Sequence, residues 1–385
     1  MMEILYLFRE REIREELGIG PIRDAISDTL FPGTSTLHTR AKYMLFIPWI
    51  FMKLERQQTP SREIEAKSRN LELSLMRALI YSGEKDGLIG YQARENLKIL
   101  PSSMYWTGLG VWGLRKFEGT RLQYFLSLDS YYDYLRTAAK SDDGTAQRHV
   151  RTNWAPHIID IPNHFPKGAT FNLTREEASY LREKIIANCR DTVLAKVVET
   201  GRSTNIDFIW QHPKLSAFSR EHLKLIEHAR NFSDVMQGAF LLYFMMLHEK
   251  RDGKEKDSEK QEMISQWAES MERRMNKLLK WNLEEFWHII FRKNPHVGYR
   301  IRRFVEKWIS IVLQNDSLSK IHAMSKARDL IYQREVRIKG KRSRFRNRRM
   351  LEQWSGQTGS SVYRFRWGNV QSMVNDIIKG LKGGR

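Results

Sequence analysis

The sequence predicts a mainly α protein: an N-terminal winged-helix-like region, then a helical bundle that ends in a basic C-terminal arm. Three observations lead there. Apolar residues recur at helical spacing through most of the chain, as in Ile64, Leu71, Leu75, Ala78 and Leu79. Two or three short helices precede a compact aromatic one around Trp106, Leu109 and Trp112, the order of a helix-turn-helix arrangement. Nine of the sixteen residues from Arg334 to Arg349 are Lys or Arg, against one acid, Glu335.

Length and composition bound the reading. With 385 residues, 41% of them hydrophobic, and 11 Trp, 18 Phe and 14 Tyr, there is apolar surface enough for two or three packed regions. The boundaries fall at 1–150, a linker over 151–173, a bundle over 174–333, and the arm with its closing elements over 334–385. The formal charge is +20, of which the Arg334–Arg349 run supplies +8. A balance this basic favours an acidic partner, DNA first with RNA not excluded, and an acidic protein after them. The single cysteine, Cys189, rules out an internal disulfide and multi-cysteine zinc sites. The start is charged rather than secretory, and the most apolar windows are too short to span a bilayer, so the expectation is a cytoplasmic protein with no membrane partner.

In order along the chain, Glu3–Phe8 is a short apolar run, and Pro21 suits the first turn of a helix through Leu30. Phe31-Pro32-Gly33 stops it. Thr34, Ser35 and Thr36 offer caps for a helix over Leu37–Arg56 that Pro48 would kink. Ser61 caps a third helix to Tyr81, and helices follow from Pro101 and over Leu122–Leu135, closed by Ser141–Gly144. Thr174 and Glu177 have capping-box spacing at the head of a helix through Cys189. Long helices are predicted over Ser219–Lys250 and Gln261–Phe291, separated by a charged joint over Arg251–Lys260. Shorter ones follow over Tyr299–Leu313, Ser317–Arg334, Leu351–Trp354 and Val370–Leu381.

Positive charge carries the functional signal. Arg337, Lys339, Lys341, Arg342, Arg344, Arg346, Arg348 and Arg349 suit an extended arm tracking a phosphate backbone. In Tyr363-Arg364-Phe365-Arg366-Trp367 the alternation fits a half-buried strand, rings in, with Arg364 and Arg366 exposed; the alternative is rings that stack on unpaired bases. A second cluster, Arg292, Lys293, Arg300, Arg302 and Arg303, surrounds a helix junction and reads either as a phosphate site or as a solvated helix end. A third candidate anion site, Thr34, Ser35, Thr36, His38 and Arg40, lacks the Gly-Lys-Ser/Thr ending of a P-loop, and capping alone also explains its hydroxyls.

Catalytic motifs are missing from this reading. His149, His157, His164 and Asp160 match no compact zinc spacing. His222-Leu223-Lys224 begins a phospholipase-D-type motif, but position 229 is Ala, and no nucleophile elbow is present. The reading therefore assigns no catalytic residue, metal or cofactor. It leaves open a nuclease or phosphodiesterase with an unrecognised site, and a scaffold gripping an acidic protein.

Several blocks together carry a resemblance. Leu30 to Tyr43, Ile47 to Ile50, Leu100 to Gly113, His212-Pro213, Gly340 to Trp354 and Tyr363 to Trp367 are similar, in this order, to the signature of the bacterial domain-of-unknown-function family 6361. The resemblance implies a neighbourhood of helicases, phospholipase-D-type nucleases and other anti-phage components, and no assigned activity. The combined expectation is a nucleic-acid-binding, non-catalytic subunit of a prokaryotic anti-phage system.

Overall fold

A 33-residue helix forms the spine, and the reason is its composition. From Ile226 to His248 it carries Phe232, Val235, Met236, Ala239, Phe240 and Leu241 to Leu247, all buried, so every face needs a neighbour. The structure, a computed structural model, describes residues 16–140, 151–253, 258–315, 317–356 and 362–383. The apolar run at Glu3–Phe8, the break at Ser141–Gly144, His149 and much of the charged joint after Arg251 lie outside them.

The helices in order are α1 (Gly20–Leu30), α2 (Tyr43–Arg56), α3 (Ile64–Tyr81), α4 (Pro101–Val111), α5 (Arg121–Lys140), α6 (Arg175–Asn188), α7 (Val193–Thr200), α8 (Arg220–Asp252), α9 (Ser258–Glu272), α10 (Met275–Leu278), α11 (Leu283–Lys293), α12 (Tyr299–Leu313), α13 (Ser325–Lys339), α14 (Arg348–Glu352) and α15 (Trp367–Leu381). The spine is α8; it is packed by α9, α12, α13, α14 and α1. Helix α2 packs on α3 and α4, and α15 on α6 and α7. One hydrophobic cluster runs without interruption from Leu17 to Ile378, and contacts cross each boundary drawn from composition: α1 lies on α8 and α11, and Phe31 meets Trp367 at 5.7 Å between rings. The linker is packed too, with Trp154, Phe165 and Phe171 buried and the Trp49 indole donating to the Ile159 carbonyl at 2.7 Å.

The mainly α class holds, with corrections in detail. Among the described residues the one β contact is a single bridge, Arg115 to Trp154, so no paired-strand wing follows α4. The helix expected from Leu37 begins at Tyr43, because residues 34–42 spend their backbone groups on other partners: Tyr105 Oη accepts from Thr39 N at 2.7 Å, and Asn369 donates to the His38 carbonyl at 2.6 Å. Pro48 sits inside α2 without breaking it, in a run buried from Tyr43 to Phe51. The long helix expected over Gln261–Phe291 is three, since Asn282 caps a new start by accepting from Glu285 N at 3.0 Å. Tyr363–Trp367 is not a strand. Phe365 and Arg366 take positive φ (49° and 66°), and Trp367 opens α15.

Close approach to the spine sets one test of this packing. At Gly238 in α8 an added Cβ would lie 2.3 Å from the Trp267 ring, whose indole donates to the Asp234 carbonyl at 2.7 Å. Gly238→Ala is expected to destabilise the fold by about 1–3 kcal/mol despite the better helix propensity of Ala. Urea unfolding of the two proteins measures it; equal midpoints would show that α9 shifts freely away from the spine.

Candidate nucleic-acid interface

Two basic clusters that are far apart in sequence meet in one groove. Helices α12 and α13 run antiparallel, so that the start of α12 lies beside the end of α13. Between them is a cavity of about 630 Å³ whose walls carry Arg300, Arg303, Lys307, Lys326, Arg334 and Arg337 against one acid, Asp329. The spacing of Arg300, Arg303 and Lys307 puts them on one face of α12. Phe304 and Ile311 form the apolar floor, and Tyr299 stands at the mouth, 72% exposed.

Two features set this groove apart from an ordinary solvated face. Among the described residues, Arg300, Arg303, Lys307, Lys326 and Arg337 form no ion pair, and the first turn of α12 carries no acid. Its N-terminal dipole and cations therefore add together, with Asp329 the one acid in the groove. Arg334 is 9% exposed and has carbonyl partners only: Nε donates to Leu17 O at 2.9 Å and Nη2 to Gly18 O at 3.1 Å. Its guanidinium lies 5.0 Å over the Phe304 ring. Burial first, and Arg337 second, push its pKa down to about 10. Its donors are satisfied by the Leu17, Gly18 and Arg300 carbonyls, and among the described residues no carboxylate neutralises its charge.

The rest of the basic run is not an extended arm. Helix α13 continues to Lys339 and ends at Gly340, where φ is +53°. The chain then turns around the lone acid of the run: Glu335 is fully buried and accepts from Ser343 Oγ and from Arg344 N at 2.8 Å. Lys339 and Arg344 are spent internally, both on the carboxylate of buried Glu16, which also accepts from Tyr243 Oη at 2.7 Å. Lys341, Arg342, Arg346 and Arg349 are exposed, and Arg348 is exposed with Glu352 at 2.8 Å. The charge is thus held on a folded hairpin beside the groove.

The remaining candidates are used elsewhere. Arg302 bonds Glu306 at 2.7 Å and lies over the Trp287 and Phe291 rings, away from the groove. Arg364 pairs with Asp207 at 3.0 Å, and the largely covered Arg366 holds Asp28 and donates to the Thr34 carbonyl at 2.8 Å, so only the first of the two is substantially exposed. The rings of Tyr363, Phe365 and Trp367 are all buried, as the alternation predicts, and none is free to stack on a base.

The segment around Thr34 grips the protein's own carboxylate. Arg40 bonds Asp376 of α15 through Nε (2.9 Å) and Nη2 (2.9 Å), and Ala41 N adds a third donor at 3.0 Å. Thr34 Oγ1 donates to the Phe31 carbonyl, Ser35 Oγ accepts from Leu37 N, and Asn369 donates to the Thr36 carbonyl at 3.3 Å. His38 is stacked on Tyr105 at 4.0 Å, and burial lowers its pKa to about 4, so it contributes no positive charge at neutral pH.

Sequence reasoning missed Lys307, Lys326, Arg334 and Tyr299 as site residues. The i, i+3, i+7 spacing of Arg300, Arg303 and Lys307 was readable; that α13 would face it was not. Among the described residues no group of three or more His, Cys, Asp or Glu side chains is placed to hold a metal, and no helix is long and apolar enough to cross a membrane.

Fold and site together define a mainly helical protein with a one-sided basic groove between two antiparallel helices. The chain belongs to a family of unknown function, DUF6361, whose model matches residues 2–379. No curated protein and no solved structure matches it.

Proposed function

We propose that this protein binds nucleic acid, with DNA as the expected polymer, through the α12–α13 groove and the exposed cations of the neighbouring hairpin. One observation carries the reading: six cations from two helices converge on a groove that holds a single acid. Such a surface is suited to a phosphate backbone. In this reading the protein is a non-catalytic subunit of a prokaryotic anti-phage system, working beside a helicase or nuclease, the setting that the family resemblance implies.

The test is fluorescence anisotropy of labelled DNA, with RNA in parallel, across a salt series. Five or six phosphate contacts give a slope of log affinity against log salt between about −3.5 and −5.5. Binding that is flat with salt would overturn the proposal. Cleavage of the labelled DNA by the purified chain would replace it with the nuclease reading, and tighter binding to an acidic protein than to either nucleic acid would replace it with the scaffold reading.

A further inference from the structure

We infer that the α12–α13 groove receives one strand of nucleic acid, with Tyr299 as a stacking platform at its mouth and Arg334 beneath the path of the backbone. The inference rests on the nucleic-acid reading above and narrows it to unpaired substrate.

Three features of the groove support this. The first is shape. Duplex readers usually insert a convex element into a major groove about 12 Å wide. Here the cations line a cleft between helices whose axes, when packed, lie about 8–10 Å apart. The second is Arg334. Its donors go to the Leu17, Arg300 and Gly18 carbonyls, so at 9% exposure it adds positive potential to the cleft wall with no carboxylate partner among the described residues. The third is Tyr299. Its ring is 72% exposed, borders Arg300 and Arg303, and packs on no other aromatic ring among the described residues. A cationic groove with an open ring at one end is the combination that holds single strands without sequence preference. From Tyr299 to Ile311 the groove runs for about 18 Å, which accommodates roughly five nucleotides at a stacked spacing of 3.4 Å. Asp329 lies at the end away from Arg334, so the phosphate-seeking charge is concentrated where the tyrosine stands.

The experiment uses the full chain with a labelled 12-nucleotide oligo-dT, a blunt duplex of the same length, and inorganic polyphosphate as competitor. The single strand is expected to bind at least tenfold more tightly than the duplex. Tyr299→Ala should weaken oligo-dT binding about tenfold or more while leaving the salt slope unchanged, since stacking releases no counterions. Tyr299→Phe should restore the affinity. Equal affinity for the duplex, an unaffected Tyr299→Ala, or displacement by polyphosphate as readily as by unlabelled oligo-dT would each overturn the single-strand inference while nucleic-acid binding stood. Failure of both probes to bind, or binding that survives Arg300→Ala with Arg303→Ala, would overturn the underlying reading.

Discussion

Glu16→Ala is expected to destabilise the protein by about 3 kcal/mol or more, the cost of breaking a buried ion pair from one side. The Glu16 carboxylate holds both Lys339 and Arg344, with the Tyr243 hydroxyl as a third donor. Lys339 and Arg344 are only 18% and 20% exposed, so neither is rehydrated in place when the carboxylate is removed. Burial by itself raises the Glu16 pKa; the pull of Lys339 and Arg344, with their hydrogen bonds, outweighs it and leaves the carboxyl below its ordinary value. The sign of the pH dependence follows. With a depressed folded-state pKa, the contribution is complete above the unfolded value of about 4.3 and is lost as pH falls through the folded one. Urea unfolding from pH 7 down to pH 3 should therefore show a loss in the wild type that Glu16→Gln does not share. An Ala variant as stable as the wild type at pH 7 would show that the latch contributes nothing. The same contacts disqualify Arg344 as a probe of binding, because its substitution strikes the fold first.

Charge reversal in the groove carries the other large effect. Arg300→Glu with Arg303→Glu should leave stability within about 0.5 kcal/mol, since both side chains are exposed and neither forms an ion pair among the described residues. Nucleic-acid affinity should fall at least a hundredfold at 0.1 M salt, and the salt slope should lose between about one and two units, one for each phosphate contact removed. Arg348→Ala makes the comparison: Arg348 is 91% exposed and already shared with Glu352, so its loss should change affinity severalfold at most. Anisotropy titrations at 50, 100 and 200 mM salt separate the two variants. A double reversal that binds within threefold of the wild type would move the interface away from this groove.

Local chemistry was well read from the sequence. Thr174 and Glu177 form the capping box that their spacing predicts, with Thr174 N donating to the Glu177 carboxylate at 2.7 Å and Glu177 N to Thr174 Oγ1 at 3.2 Å. That the same carboxylate also holds Lys42, from 135 residues earlier, is a tertiary fact without a local signal. The rings of Tyr363, Phe365 and Trp367 are buried as the alternation indicates, yet the backbone is a turn with left-handed residues. Period-two burial fits a strand and this turn equally well; the positive φ of Phe365 and Arg366, and the lack of a pairing strand among the described residues, distinguish them.

By itself the sequence determined the mainly helical class, most helix starts and stops and the excess of positive charge. All of these depend on residues within a turn or two of one another, or on simple totals. Only the tertiary structure decided which cations are free. Glu16 and Asp28 lie more than 300 residues before the Arg344 and Arg366 they neutralise, and Arg300 shares a groove with Arg337 because α12 and α13 are antiparallel. An ion pair or a groove depends on distance in space, and a buried carboxylate can cancel a cation from anywhere along the chain. The basic run that dominates the sequence is accordingly divided in the fold: Lys339 and Arg344 hold the protein together, while Arg337 joins Arg300 and Arg303 in lining the groove.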